Sequence, residues 1–295
     1  MHFYRKVLLA FMLVVWWIPP GVGAIDGKKP KTSCAVGEAV MYEGICADGN
    51  KVIFVPPDKP DDKPGKLQTI VNNAKEGDYI VLTAGDHLLA SPAGLVIQGK
   101  SKLALIGAEN ARIKATSGYE ILVFIKESKE IGLKDIHLVA ENKEKPCCRF
   151  PVVGIYDAET IGLFDLVVKA GGAYAVGIAR AKKVFIEGGE ATGNTQGVFL
   201  MRNAKDVTIK DMVITDNGTQ KNEAQSDIVK DNHKTQSDDV KAQPGGILDI
   251  YYSKDIKVLN NTITNNRTTY LKKSIDSELR FEKNTESDNK FAQDE

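Results

Sequence analysis

Apolar and polar residues alternate at period two in short bursts, and the bursts recur at fixed intervals. AVGIARAKKVFIEGGEATGNTQG, from residue 175, is followed from residue 198 by VFLMRNAKDVTIKDMVITDNG, the same pattern 23 residues on. Extending the register aligns Leu103, Ile131, Ile161, Val184, Val207 and Ile256 in one apolar column. Two residues later Leu105, Leu133, Leu163, Ile186, Ile209 and Val258 form a second. Four residues after the first column stand Gly107, Asp135, Asp165, Gly188, Asp211 and Asn260, the residue types that tolerate a left-handed backbone at a tight bend. Ten residues after it, Asn194, Asn217 and Asn266 fall in line, as an internal ladder of stacked amides would. The rung spacings are 28, 30, 23, 23 and 49, so insertions separate units of about 23 residues.

A unit of three short strands cannot bury its own inner face and must stack on its neighbours. The pattern therefore predicts an all-β parallel solenoid of six to seven rungs. A leucine-rich repeat would carry a helix and a fixed leucine spacing, whereas these rungs alternate β-branched residues throughout.

Residues 1–24 begin with Arg5 and Lys6, continue in an apolar run from Val7 to Ile18 and end at Val22-Gly23-Ala24, the layout of a secretory signal peptide. The run is short for a membrane span and no second one follows, so the mature chain is expected without a transmembrane segment, in an extracellular or periplasmic location. The chain has 39 basic residues, 37 without Arg5 and Lys6, against 39 acidic ones, which gives no reason to expect nucleic acid as a partner. Export permits disulfides, and Cys34 with Cys46 is the expected pair, closing a loop in segment 25–65 with a stabilisation of roughly 3 kcal/mol. Cys147 and Cys148 are adjacent and either form a strained bridge with each other, stay as free thiols or cross-link elsewhere; the sequence leaves these open.

The connector PPDKPDDKPGK, residues 56–66, leads into Leu67, Ile70, Val71 and Ala74, one apolar stripe on a short helix. The stretch LQTIVNNAKEGDYIVLTAGDHLL that follows resembles the opening of the right-handed parallel β-helix proteins, the pectin-lyase-like superfamily. The resemblance covers residues 66 to 267 and implies a helix capping the first rung. It implies no single activity, because that superfamily holds lyases, hydrolases, epimerases, tailspikes and non-catalytic proteins. The solenoid is expected over 66–284, with a polar insertion at 219–243 that contains His233, and a disordered tail at 285–295. Leu279 and Phe281, 23 residues after Ile256 and Val258, suggest a partial last rung. No apolar cap follows it, so either the partial rung and tail cover that end or a second chain does, through an oligomer contact.

Candidate chemistry follows from parity. In the strand that opens each rung, Val123 with Ile125, Val153 with Ile155, Val176 with Ile178, Phe199 with Met201 and Leu248 with Ile250 fill the inward column. The opposite parity then offers Gly154, Gly177 and Ala179 as the floor of a shallow trough edged by Tyr156, Arg202, Asp249 and Tyr251. Aromatic rings stack on sugar faces and an arginine holds a uronate carboxylate, so the trough suits an acidic polysaccharide. For a uronate lyase or C5-epimerase, Arg202 would neutralise the carboxylate and Tyr251 or Tyr156 would take the C5 proton. Asp249 would bind substrate, orient Arg202 from the next rung, or hold calcium as the one cofactor considered. The other reading is a non-catalytic binding or scaffolding solenoid, in which Arg202 and Asp249 form an ordinary surface ion pair. Three sequons, at Asn217, Asn260 and Asn266, matter only in a glycosylating host, and a stacked amide at Asn217 or Asn266 would leave no room for sugar.

Overall fold

The computed structural model describes residues 51–59, 62, 64–90, 94–115, 121–139, 150–169, 173–218 and 245–291, together with the backbone of 35–36 and 42–45. The signal segment, all four cysteines, the insertion with His233 and residues 292–295 lie outside the described residues. Within them three sheets of seven, eleven and eight strands wind round one core, with a fourth of two strands at the C-terminal end; pairing is parallel throughout except for Ala35–Val36 and Tyr42–Ile45, which pair antiparallel at the N-terminal edge of the eleven-stranded sheet. Chain order cycles through the sheets, and the eight-stranded sheet counts eight coils. Successive parallel strands in one sheet favour the right-handed winding. The predicted count of six to seven falls one short because Tyr79–Leu82 and Gly85–Leu89 already form a coil of their own. Lys51–Val55, assigned from sequence to a separate N-terminal segment, pairs in parallel with Tyr79–Leu82 and extends the same sheet.

The apolar columns pair as the spacing requires: Leu103 opposite Ile131, then Ile161, Val184, Val207, Ile256 and Leu279. All but Leu279 are buried, and they join one continuous core. Turns adopt the left-handed conformation at Asp135, Asp165, Gly188, Asp211 and Asn260. Gly107 departs from its column with an ordinary φ; it is glycine because a Cβ there would overlap the Asp135 carbonyl.

The asparagine ladder forms. The Asn194 side-chain amide donates to Asn217 Oδ1 at 2.8 Å, that of Asn217 to Asn266 Oδ1 at 3.0 Å, and that of Asn266 to Asn289 Oδ1 at 2.9 Å. Asn194, Asn217 and Asn266 are buried, which leaves no room for a glycan at the two sequons among them, whereas Asn260 is exposed. A second ladder links Asn261 to Asn284. These amides extend the fold through the segment expected to be a disordered tail: Thr285–Ser287 pairs with Thr262–Thr264, and Lys290–Phe291 with Arg267–Thr268. The last coil places Lys272, Ser274 and Glu286 at positions aligned with buried Leu248, Ile250 and Ile263, so the core ends under partly polar side chains.

At the other end the helix Lys66–Asn73 buries Leu67, Ile70 and Val71, the stripe seen in the sequence. Gln68 joins it to the sheet. Its carboxamide accepts from Val96 N–H at 2.6 Å and donates to Val96 C=O at 2.9 Å, completing the edge of the first strand as a neighbouring backbone would. Lys100 Nζ donates to the carbonyls of Asn72 and Ala74 at 2.7 and 2.8 Å and closes the helix C-terminus. Beneath the cap lies fully buried His87, whose Nε2 meets Thr83 C=O at 2.9 Å while Nδ1 has no partner among the described residues. Burial pushes its pKa below the usual 6.5, against weaker upward pulls from Thr83 and Asp58. A histidine depressed in the folded state contributes stability above its unfolded pKa and loses it as pH falls below about 6.5. Denaturant midpoints are therefore expected to drop between pH 7.5 and pH 5.5, and His87→Leu should flatten that drop.

Candidate functional site

The seven-stranded sheet runs from Leu95–Gln98 through Val123–Lys126, Val153–Tyr156, Val176–Ala179, Phe199–Arg202 and Leu248–Tyr251 to Lys272–Ile275. The register sets Val123, Val153, Val176, Phe199 and Leu248 in line, and these residues are buried, as the parity argument requires. Two columns therefore face outward, and they have different fates.

The first outward column is Phe124, Gly154, Gly177, Leu200, Asp249 and Lys273. The trough expected over its glycines is filled by the turns that precede each strand. A Cβ on Gly154 would lie 3.0 Å from Ile121 Cδ1, and one on Gly177 only 2.7 Å from Pro151 Cγ. Both glycines are buried beneath these side chains. Their smallness seats a turn, not a ligand.

Asp249 is covered in the same way, by tyrosines. Its side chain points outward yet the residue is only 2% exposed. The Tyr174 hydroxyl donates to Oδ2 at 2.5 Å and the Tyr270 hydroxyl to Oδ1 at 2.5 Å, with Gly246 N–H at 3.4 Å from Oδ2. Tyr174 stands before the strand Val176–Ala179 and must cross later coils to reach Asp249. Glycines clear its path: a Cβ on Gly245 would sit 2.5 Å from the Tyr174 hydroxyl, one on Gly197 2.9 Å from its ring, and one on Gly246 would overlap the Tyr270 ring. Burial first, and then the Asp249 carboxylate, push both phenols above their ordinary range, which favours their protonated, donating form.

The second outward column is Gln98, Lys126, Tyr156, Ala179, Arg202, Tyr251 and Ile275. No described residue roofs it over as the turns do the first column. Tyr156 packs edge-on against Phe124, ring centroids 5.1 Å apart, and burial pushes its hydroxyl upward against the opposing influence of Arg202 and Arg180. Arg202 is exposed and its guanidinium lies 5.6 Å from the centre of the Tyr251 ring; Lys273 Nζ lies 5.8 Å from the same ring. One aromatic ring thus sits between two cations carried by the coils before and after it. Neither cation has an ion-pair partner among the described residues.

Of the residues singled out from sequence, the structure brings Arg202 and Tyr251 together and leaves Tyr156 two strands away on the same face. It separates Arg202 from Asp249. Register aligns Arg202 with Tyr251, and Asp249 with Leu200 and Lys273, while both Asp249 oxygens are engaged by phenols. A calcium role does not fit that donor set. No group of three metal-ligating side chains gathers among the described residues. Tyr174, Tyr270 and Lys273 escaped the sequence reading. Lys273 alone carried a signal, since it follows Asp249 by about one rung length.

Residues 152–293 match the family model described as right handed beta helix region. No curated protein matches the chain. Among solved structures, it is similar to an iota-carrageenase complexed to iota-carrageenan fragments, at 11% identity and TM-score 0.45 over 74% of this chain and 54% of that one. It is also similar to a pectin methylesterase from Aspergillus niger in deglycosylated form, at 10% identity and TM-score 0.38 over 79% and 88% of the two chains. A third likeness is to pectate lyase Pel9A, at 10% identity and TM-score 0.28 over 79% and 78%. The chain spans about half the length of the carrageenase. With eight parallel coils in register and the matched region spanning the later ones, the chain folds as a right-handed parallel β-helix.

Proposed function

We propose that the protein binds an acidic polysaccharide along the open outward column of the seven-stranded sheet. The observation that carries this reading is the Tyr251 ring with Arg202 of the same column and Lys273 of the adjoining column both near it, neither cation having an ion-pair partner among the described residues. A uronate carboxylate between them would gain charge-assisted hydrogen bonds, and the ring offers a face for the sugar. Tyr156 and Lys126 continue the same column toward the N-terminus at one strand per step, about 4.8 Å each, so a glycan chain would lie parallel to the solenoid axis. The residues 1–24 support an extracellular or periplasmic setting for that encounter.

In its sharper form the same group performs elimination or C5 epimerisation. Arg202 and Lys273 stabilise the charge that develops on the carboxylate when the C5 proton leaves to the phenolate form of Tyr251; in elimination the C4–O bond then breaks and the departing oxygen takes a proton from water, and in epimerisation a proton returns to C5 from water on the opposite face. Burial raises the pKa of the Tyr156 hydroxyl, which disfavours the phenolate that a base requires. One observation favours the other reading, binding without reaction. The carboxylate nearest the site, Asp249, is committed to two phenols and is not free to act on a substrate.

Titration calorimetry with alginate, pectate and hyaluronan oligomers tests the binding, and absorbance of an unsaturated uronate product tests elimination. Arg202→Ala should weaken binding roughly tenfold or more, the loss of one hydrogen-bonded charge, with the thermal midpoint unchanged. Unaltered affinity in that variant would remove the proposed site.

A further inference from the structure

Beyond the open column the chain turns a corner, and there one coil breaks the pattern of the others. The left-handed position that ends each strand is held by Gly99, Glu127, Asp157, Arg180, Asn203 and Asp276, but in the seventh coil by Tyr252, with φ 52. An aromatic residue is disfavoured in this region, and strain of that kind gathers at functional positions. Nothing in the packing accounts for the choice: Tyr252 is 58% exposed, one of three large apolar side chains left open among the described residues. Its backbone is nonetheless rigidly held. Ser253, fully buried, donates from Oγ to Tyr251 C=O at 2.9 Å and accepts Ala204 N–H at 3.0 Å, while its own N–H meets Ser277 Oγ at 2.9 Å.

Two residues after this tyrosine, Lys254 opens the next strand. Lys205 and Lys254 lie directly opposite one another on neighbouring parallel strands, about 4.8 Å apart along the axis, and both are exposed. Like charges in that relation are destabilising. One coil earlier, Lys182 in the same column is neutralised by Glu159 at 3.3 Å. Lys205 and Lys254 have no such partner among the described residues. Asp206 and Asp255, which follow them at left-handed turn positions, make no ion pair with either.

We propose that Tyr252, Lys205 and Lys254 form a second anionic-sugar subsite, continuous round the corner with the Arg202 face, and that the ligand is a polyanionic glycan bearing a carboxylate or sulfate ester on more than one sugar. The proposal deepens the reading of the Arg202 face as a glycan site and rests on it. The stacked lysines hold one charged group, the ring of Tyr252 receives the sugar that bears it, and Arg202 with Lys273 holds another. A glycan with a single charge occupies one half only.

The test uses the full chain with two probes, an oligogalacturonate and a sulfated galactan oligomer, titrated at two salt concentrations. The double variant Lys205→Ala/Lys254→Ala is expected to lose about tenfold in affinity for the preferred probe, with a shallower salt dependence. Tyr252→Asn is expected to weaken binding while raising the thermal midpoint, since asparagine accepts the left-handed turn; a merely structural tyrosine would not separate the two effects. Whichever probe binds more tightly identifies the charged group as carboxylate or sulfate. Wild-type affinity in both variants, with binding lost in Arg202→Ala, would overturn the second subsite and leave the first standing. The reverse pattern would overturn the Arg202 reading and keep the lysine pair as an independent anion site. Failure of the wild-type chain to bind either probe would overturn both.

Discussion

Replacing Asn217 by alanine is expected to destabilise the protein by roughly 3–5 kcal/mol, since each buried polar group left unpaired costs about 1–3 kcal/mol. Its Oδ1 accepts both the backbone and side-chain N–H groups of Asn194, at 3.0 and 2.8 Å. Its Nδ2 serves Ala191 C=O, Thr215 C=O and Asn266 Oδ1 at 2.9, 2.9 and 3.0 Å. Alanine removes all five at a buried position where water cannot enter without opening the turn. The effect should spread along the ladder, because Asn194 and Asn266 each lose a partner when Asn217 goes. Denaturant unfolding of Asn217→Ala beside Asn289→Ala provides the comparison. Asn289 lies at the half-buried end of the ladder and its loss should cost clearly less.

Asp249→Ala is the second large effect, and it distinguishes the structure from the expectation drawn from sequence. As a surface partner of Arg202, Asp249 would matter to ligand binding and hardly at all to stability. As the acceptor for two largely buried phenols, its removal strands the hydroxyls of Tyr174 and Tyr270 together and should cost roughly 2–4 kcal/mol. Tyr270→Phe removes one of those bonds and should cost about 1 kcal/mol. Combined with Asp249→Ala, it should add almost nothing, since the acceptor is already gone. Additive losses in that double variant would mean that the carboxylate does not serve the phenol.

Much of the coil was legible in the sequence because a solenoid repeats its physics. Leu103 to Ile256 must face inward in every rung, and Asn194 to Asn266 must satisfy the same buried turn, so spacing alone aligned them. The signal faded where the repeat ceased to be apolar. The last coil turns Lys272, Ser274 and Glu286 toward the core position, and its ordering rests on the backbone ladder and on Asn284 and Asn289. Asn289 follows Asn266 by the same 23 residues, so the cue was present but masked by polar neighbours.

The site was legible only in half. Strand parity placed Arg202, Tyr156 and Tyr251 on the outer face, since parity depends on nothing beyond the strand itself. What covers that face comes from the turns, where side chains obey no period. Ile121, Pro151, Tyr174 and Tyr270 come to rest on the outward column from the segments between strands, and Tyr174 reaches an aspartate 75 residues away. Parity alone makes Gly154 and Gly177 an open floor, yet they, like Gly245 and Gly246, are vacant so that those turn residues can fill the space.

The most direct test of the account is calorimetric titration of the wild-type chain and Arg202→Ala with an oligogalacturonate at low and physiological salt. The wild type is expected to bind saturably and more weakly as salt rises, and the variant to lose roughly tenfold or more in affinity with its thermal midpoint retained. Equal affinity in the two proteins, or binding indifferent to salt, would contradict an anionic glycan held between Arg202 and Lys273.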